Sequence, residues 1–144
     1  MKSKLLFDRS GERVYAVVFD TGDEVASGLL QFAKEAGLHG AHFTAIGAFR
    51  DVTLGYFEIE RKQYKHIPVR EQVEVLSLVG NVADADGEPK LHAHVVVGKS
   101  DGTALGGHLV EAHVRPTLEV VITEAPQHLR RVHDPATGLA LIRL

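Results

Sequence analysis

Residues 90–123 constrain the fold of this chain more than any other stretch, because they read as a strand, a turn and a returning strand. The β-branched run LHAHVVVG precedes the turn signal Ser100-Asp101-Gly102, and the chain returns through Gly106-Gly107-His108 toward a second apolar run at 118–123. On the first strand His92 and His94 project from one face, since side chains alternate with period two. Their imidazoles can converge on one point, and a third histidine from the returning chain can complete a tripod. Three neutral imidazoles suit zinc or another borderline divalent metal, with the fourth position left to water or another ligand. Alternating histidines also arise by chance in a chain with nine of them, so spacing alone leaves metal site and coincidence side by side. The glycine pair directly before His108 adds a signal of close backbone approach.

Composition narrows the ligand chemistry. The chain has no cysteine, which removes disulfides and thiolate ligands and leaves imidazole and carboxylate as the strong metal-binding groups. That is compatible with a reducing compartment, and a cytoplasmic protein is expected. At 144 residues the chain fits one domain, 1–144, able to bury a core without staples. The basic start Met1-Lys2-Ser3-Lys4 leads into an apolar piece broken by Asp8-Arg9, so no signal peptide is expected. No apolar run approaches the ~20 residues of a membrane helix, so no membrane partner is expected. With a formal charge of −3 and a pI near 6.3, acids outnumber bases, which argues against the basic face that duplex binding draws on. The basic spots at Arg61-Lys62 with Lys65 and Arg70, and at Arg130-Arg131, read as solvated charges.

The remaining segments are mostly strands. Residues 14–20 form a continuous apolar run, hence a buried strand. Residues 23–36 are the one helical pattern, with Val25, Leu29, Phe32, Ala33 and Ala36 on a face. Asp23 and Glu24 favour its start, and Gly37 ends it as a left-handed cap. Residues 43–49 and 52–59 read as a hairpin turning at Arg50-Asp51. Residues 64–69, limited by Pro68, read as an edge strand, and 72–82 as a strand covered on both faces. Asp84 and Asp86 sit in a turn at 83–87 that lacks the ligand ladder of a calcium loop. Two short strands flank the turn at 134–138. The expected class is α+β, a mostly antiparallel sheet with one main helix at about 23–36 packed on it.

Three motifs carry a family likeness: Gly87-x-Pro89-x-x-His92-x-His94, Gly106-Gly107-His108-Leu109, and Pro116-Thr117-x-Glu119-Val120. They resemble the bacterial stand-alone form of the plants and prokaryotes conserved (PPC) domain. The likeness extends upstream through Ile46-Gly47-Ala48, Leu54-Gly55-Tyr56-Phe57 and the run from Val73 to Gly80, and so spans nearly the whole chain. The resemblance implies an α+β domain that forms a homotrimer and binds a metal, zinc first, at His92, His94 and His108. It also carries a DNA-binding, transcription-associated label. Plant relatives contact DNA through a separate basic hook centred on Arg-Gly-Arg-Pro, which this sequence lacks. Their partner motif Gly-Arg-Phe-Glu-Ile-Leu stands here as Glu71-Gln72-Val73-Glu74-Val75-Leu76, without its glycine and arginine.

No phosphate loop, dinucleotide fingerprint, serine elbow or H-E-x-x-H pair is present, so any hydrolysis has to be carried by a metal. In that reading the tripod holds the ion and Glu119 or Glu111 acts as base. Glu119 can alternatively orient a ligating imidazole. In a regular strand Glu111 and His113 face away from His108, which leaves His113 as a reserve ligand. Three functions therefore stand together. They are a metal-binding oligomer, a DNA-associated protein, and a metal-dependent small-molecule enzyme or sensor with a ligand carboxylate on the metal.

Overall fold

The computed structural model describes residues 1–125 and 127–144. Within them the apolar runs form β1 (Lys2–Arg9), β2 (Glu12–Asp20), α1 (Val25–Glu35), β3 (Gly40–Glu58), β4 (Gln63–Val69), β5 (Val73–Ala85), β6 (Glu88–Gly98), β7 (Ala104–Glu124), β8 (Arg130–Asp134) and β9 (Leu139–Arg143). The strands make one sheet in the order β1-β2-β7-β3-β5-β8-β9, with β4 added to β3 and β6 bridging β5 and β7. Every pairing is antiparallel except a single contact of β5 with β8. The mostly antiparallel sheet with one small helix agrees with the expected class. Pairings β3–β5, β5–β6, β6–β7 and β7–β3 return to their start, so these four strands close a ring.

The helix begins where Glu24 satisfies its first free amides, accepting from Ala26 N at 3.0 Å and Ser27 N at 2.6 Å. The same carboxylate accepts from Ala112 N at 3.3 Å, which ties the helix start to β7. Asp23 is spent elsewhere, accepting from Asp20 N at 2.9 Å, and this shortens the helix from the expected 23–36. Gly37 at φ +61° provides the left-handed exit. Val25, Leu29, Phe32 and Ala33 are buried, in one core with Phe19, Phe43, Phe49, Leu118 and Ile122. Each large apolar side chain so buried contributes roughly 1.5–3 kcal/mol.

The expected hairpin at 43–59 is instead one strand, β3, and the runs at 108–113 and 118–123 merge into β7. Phe49, Asp51, Val52 and Thr53 pair in succession with Val114, His113, Ala112 and Glu111 of β7, so the chain runs on without reversing. Arg50 Nε and Asp51 Oδ2 pair at 2.7 Å within the strand, and irregularities in the β3–β7 register absorb the bend. Residues 2–9 also form a strand, held against β2. β4 pairs with β3 alone, as an edge. Gly47, at φ +152°, lies so close to β7 that a Cβ would strike the Thr117 carbonyl oxygen. Among the described residues, no helix is long and apolar enough to cross a membrane.

Candidate metal centre

β6 sorts its side chains by pleat. Ala93, Val95 and Val97 go into the core, while His92 and His94 stand on the outer face. Pairing with β7 sets His94 directly opposite His108 and Val95 opposite Gly107. Glycine is needed at 107 because a Cβ would come within 2.8 Å of the Gly55 carbonyl oxygen on β3. Close packing of three strands thus delivers His108 to the pair on β6.

The three rings meet. One ligand atom from each of His92, His94 and His108 lies within 4.8 Å of the others. Ring centroids are 5.1 Å apart for His92–His94, 5.2 Å for His92–His108 and 5.6 Å for His94–His108. Tyr64 of β4 stacks on His108 at 4.6 Å and 23°, which fixes the plane of that ring. His108 Nδ1 is buried and has no hydrogen-bond partner. Burial, then the neighbouring His92 and His94, pulls the His108 imidazolium down to about 4. His92 is lowered by burial, then by Arg131 and His94. His92 and His108 are therefore held toward the neutral form, with a lone pair to donate. Among the described residues no carboxylate pairs with any ring of the tripod, whereas His39 and His113 each have one. A neutral, convergent donor set with a buried unpartnered nitrogen fits a divalent cation.

The carboxylates expected to assist do not reach this centre. Glu119 lies toward the other end of β7, exposed, beside a surface cleft lined by Ile46, Leu76 and Val121. Glu111 is exposed and its nearest histidine contact is His113 Nε2 at 4.0 Å. The parity expected for β7 also fails. Leu54 pairs with Leu109 and Thr53 with Glu111, so Val110 is an extra residue. Burial then passes from Leu109 to Ala112 and Val114, which puts Glu111 and His113 on the outer side together with His108. His113 is nevertheless spoken for, with Nδ1 at 2.7 Å from Asp51 Oδ1.

Tyr64 and Arg131 were not expected at the site. Arg131, read from sequence as a solvated charge, is partly buried, donating from Nη2 to Asn81 Oδ1 and from Nη1 to the Ala140 carbonyl, both at 2.7 Å. Its Nε is buried without a partner. Neither residue has a local signal, because each meets the histidines only through tertiary packing. Beside the tripod they line a cleft of about 330 Å³ with His92, His108, Leu139 and Leu141. A second cleft of about 500 Å³ lies between α1 and β6, walled by Leu30, Leu91 and Ala93 and again touching His108. Of the other histidines, His39 stacks on His128 at 4.8 Å, and His42, His66 and His133 are exposed.

The model of the Plants and Prokaryotes Conserved (PCC) domain matches residues 7–126. The chain belongs to that family. Three solved structures share the fold of this PCC domain over nearly its whole length. A proposed DNA-binding protein of Bacteroides thetaiotaomicron superposes with a TM-score of 0.87 at 28% identity, over 98% of this chain and 96% of that one. A plant- and prokaryote-conserved protein of Pyrococcus horikoshii does so at 0.85 and 35% identity, over 99% and 95%. A metal-containing protein of Archaeoglobus fulgidus does so at 0.83 and 36% identity, over all of both chains. Among curated proteins, the bifunctional protein GlmU of a Synechococcus strain is 30% identical over 129 residues, 88% of this chain. The chain spans about a fifth of that relative's length (20%).

Proposed function

We propose that this PCC domain binds a divalent metal, zinc first, through His92, His94 and His108, and works as a homotrimer in the cytoplasm. The observation that carries the reading is the meeting of three imidazole donors within 4.8 Å of one another. The buried, unpartnered His108 Nδ1 and the metal-containing Archaeoglobus fulgidus relative support it. A bound ion would supply a Lewis acid able to polarise an oxygen of a ligand. The chain's own residues hold and shape the site. His94 donates from the exposed side, His92 and His108 form the wall, and Tyr64 keeps His108 in plane. Self-association is supported by an apolar outer patch in which Ile46 is 62% exposed, Leu76 54%, Val79 48% and Val121 47%, and the count of three comes from the family resemblance.

The test is elemental analysis with melting before and after chelation, for the natural chain and His94→Ala. Metal near one ion per chain and a midpoint lowered by chelation are expected for the natural chain only. An absence of metal together with unchanged melting sinks the reading. DNA association is the second reading, favoured by the description of the Bacteroides thetaiotaomicron relative. The formal charge of −3 gives it little electrostatic support. A salt-titrated duplex-binding assay separates the two, since true phosphate contact weakens steeply with added salt.

A further inference from the structure

Arg131 is a partly buried cation with no carboxylate within ion-pair distance among the described residues. Buried charges are ordinarily paired, because an uncompensated one costs several kcal/mol in real proteins. Its guanidinium is pinned by Asn81 and the Ala140 carbonyl, so the charge cannot swing out to water. Arg131 also lies outside residues 7–126, the part matched by the family model. It opens onto the cleft that holds His92 and His108, where, among the described residues, the only other charged side chain is Lys90. Among the described residues, no acid lines that cleft. The rest of its wall is apolar or aromatic, from Tyr64, Leu139 and Leu141. Its volume of about 330 Å³ sits at the small end for ligand sites.

We infer that this cleft takes a small organic monocarboxylate, its charged end toward the histidines and Arg131 and its apolar end against Tyr64, Leu139 and Leu141. The inference rests on the metal reading, because the ion completes the positive end of the cleft. A neutral ligand would leave Arg131 uncompensated, and a strongly polar one would desolvate against Leu139 and Leu141. The β8–β9 hairpin thereby becomes a ligand wall, with Arg131 as its charge.

The experiment adds cobalt(II) to the metal-free full chain and follows the visible absorption while butyrate or 1-butanol is titrated in. Butyrate is expected to shift the cobalt bands saturably, and 1-butanol to leave them in place. In Arg131→Gln the butyrate Kd should rise about tenfold, the size of one charge-assisted contact. Lys90→Ala, on the exposed rim, should raise it about threefold and keeps the test alive should Arg131→Gln misfold. Cobalt bands that ignore butyrate, that answer equally to 1-butanol, or that give unchanged affinity in the variants overturn the carboxylate site while the metal reading stands. Failure of the natural chain to develop cobalt bands removes the metal reading, and the inference goes with it.

Discussion

His113 and His39 each lie against a carboxylate, Asp51 Oδ1 at 2.7 Å and Asp84 Oδ2 at 3.2 Å, whereas His92, His94 and His108 face one another. The residue type is the same, and what stands opposite decides its work. A carboxylate partner accepts the ring N–H, so the histidine becomes a fastening. Asp51 shows the other side of that bond. Burial alone would push its carboxyl up, but bonds from Arg50 and His113 hold it below the usual range. Among the described residues the tripod has no such partner; burial, then His92 and His94, lowers His108, and burial, then Arg131 and His94, lowers His92. His113 sits where Glu24 bridges α1 to β7, and the open histidines sit on the outer face of the ring.

The sharpest way to break this contrast is His108→Ala. Metal binding should be lost, along with the stabilisation that metal confers, about 2.7 kcal/mol at a free-ion level 100 times Kd. Elemental analysis and melts with and without zinc would read both. A smaller loss is expected on the fastened side from Glu24→Gln, about 1 kcal/mol at pH 7, the worth of a helix cap. Its pH dependence has a definite sign. Burial raises the Glu24 carboxyl, but bonds from the Ser27 hydroxyl and from the amides of Ser27, Ala26 and Ala112 outweigh it and hold it below the ordinary 4.5. The carboxylate's contribution is therefore fully present above that value and lost as pH falls through the lower folded value. Denaturant titrations of the natural and variant chains should accordingly converge in acid; a gap that persists there contradicts the assignment. Asp51→Asn should cost less than about 1 kcal/mol, as expected of a half-exposed pair, and leave metal content intact. Smallest of all, His113→Gln should leave zinc stoichiometry unchanged, and a fall in it would bring His113 back among the ligands.

Much of this was readable in the chain itself. The helix, expected at 23–36 and found at 25–35, the edge strand β4, the terminal hairpin and the convergence of His92 with His94 follow from period and turn chemistry. Gly107 could be suspected from its place before His108, although the neighbour that demands it, the Gly55 carbonyl, could not. The length of β3 was hidden because Arg50-Asp51 looks like a turn until Asp51 is seen bonding His113 on β7. The outward placement of Glu111 and His113 was hidden by the extra residue Val110, which no alternation rule anticipates. Tyr64 and Arg131 reach the tripod from β4 and β8, and only tertiary packing brings them there.

The closed ring of β3, β5, β6 and β7 has a consequence for ion choice. β6 is clamped between β5 and β7, and β7 at His108 is clamped between β6 and β3. The backbones of His94 and His108 are thus held on both sides and that of His92 on one, so His92 and the imidazole rotations are where the donor set can adjust. On the proposed metal reading, discrimination by ionic radius would come from this weave of the sheet, beside the contribution of ligand softness.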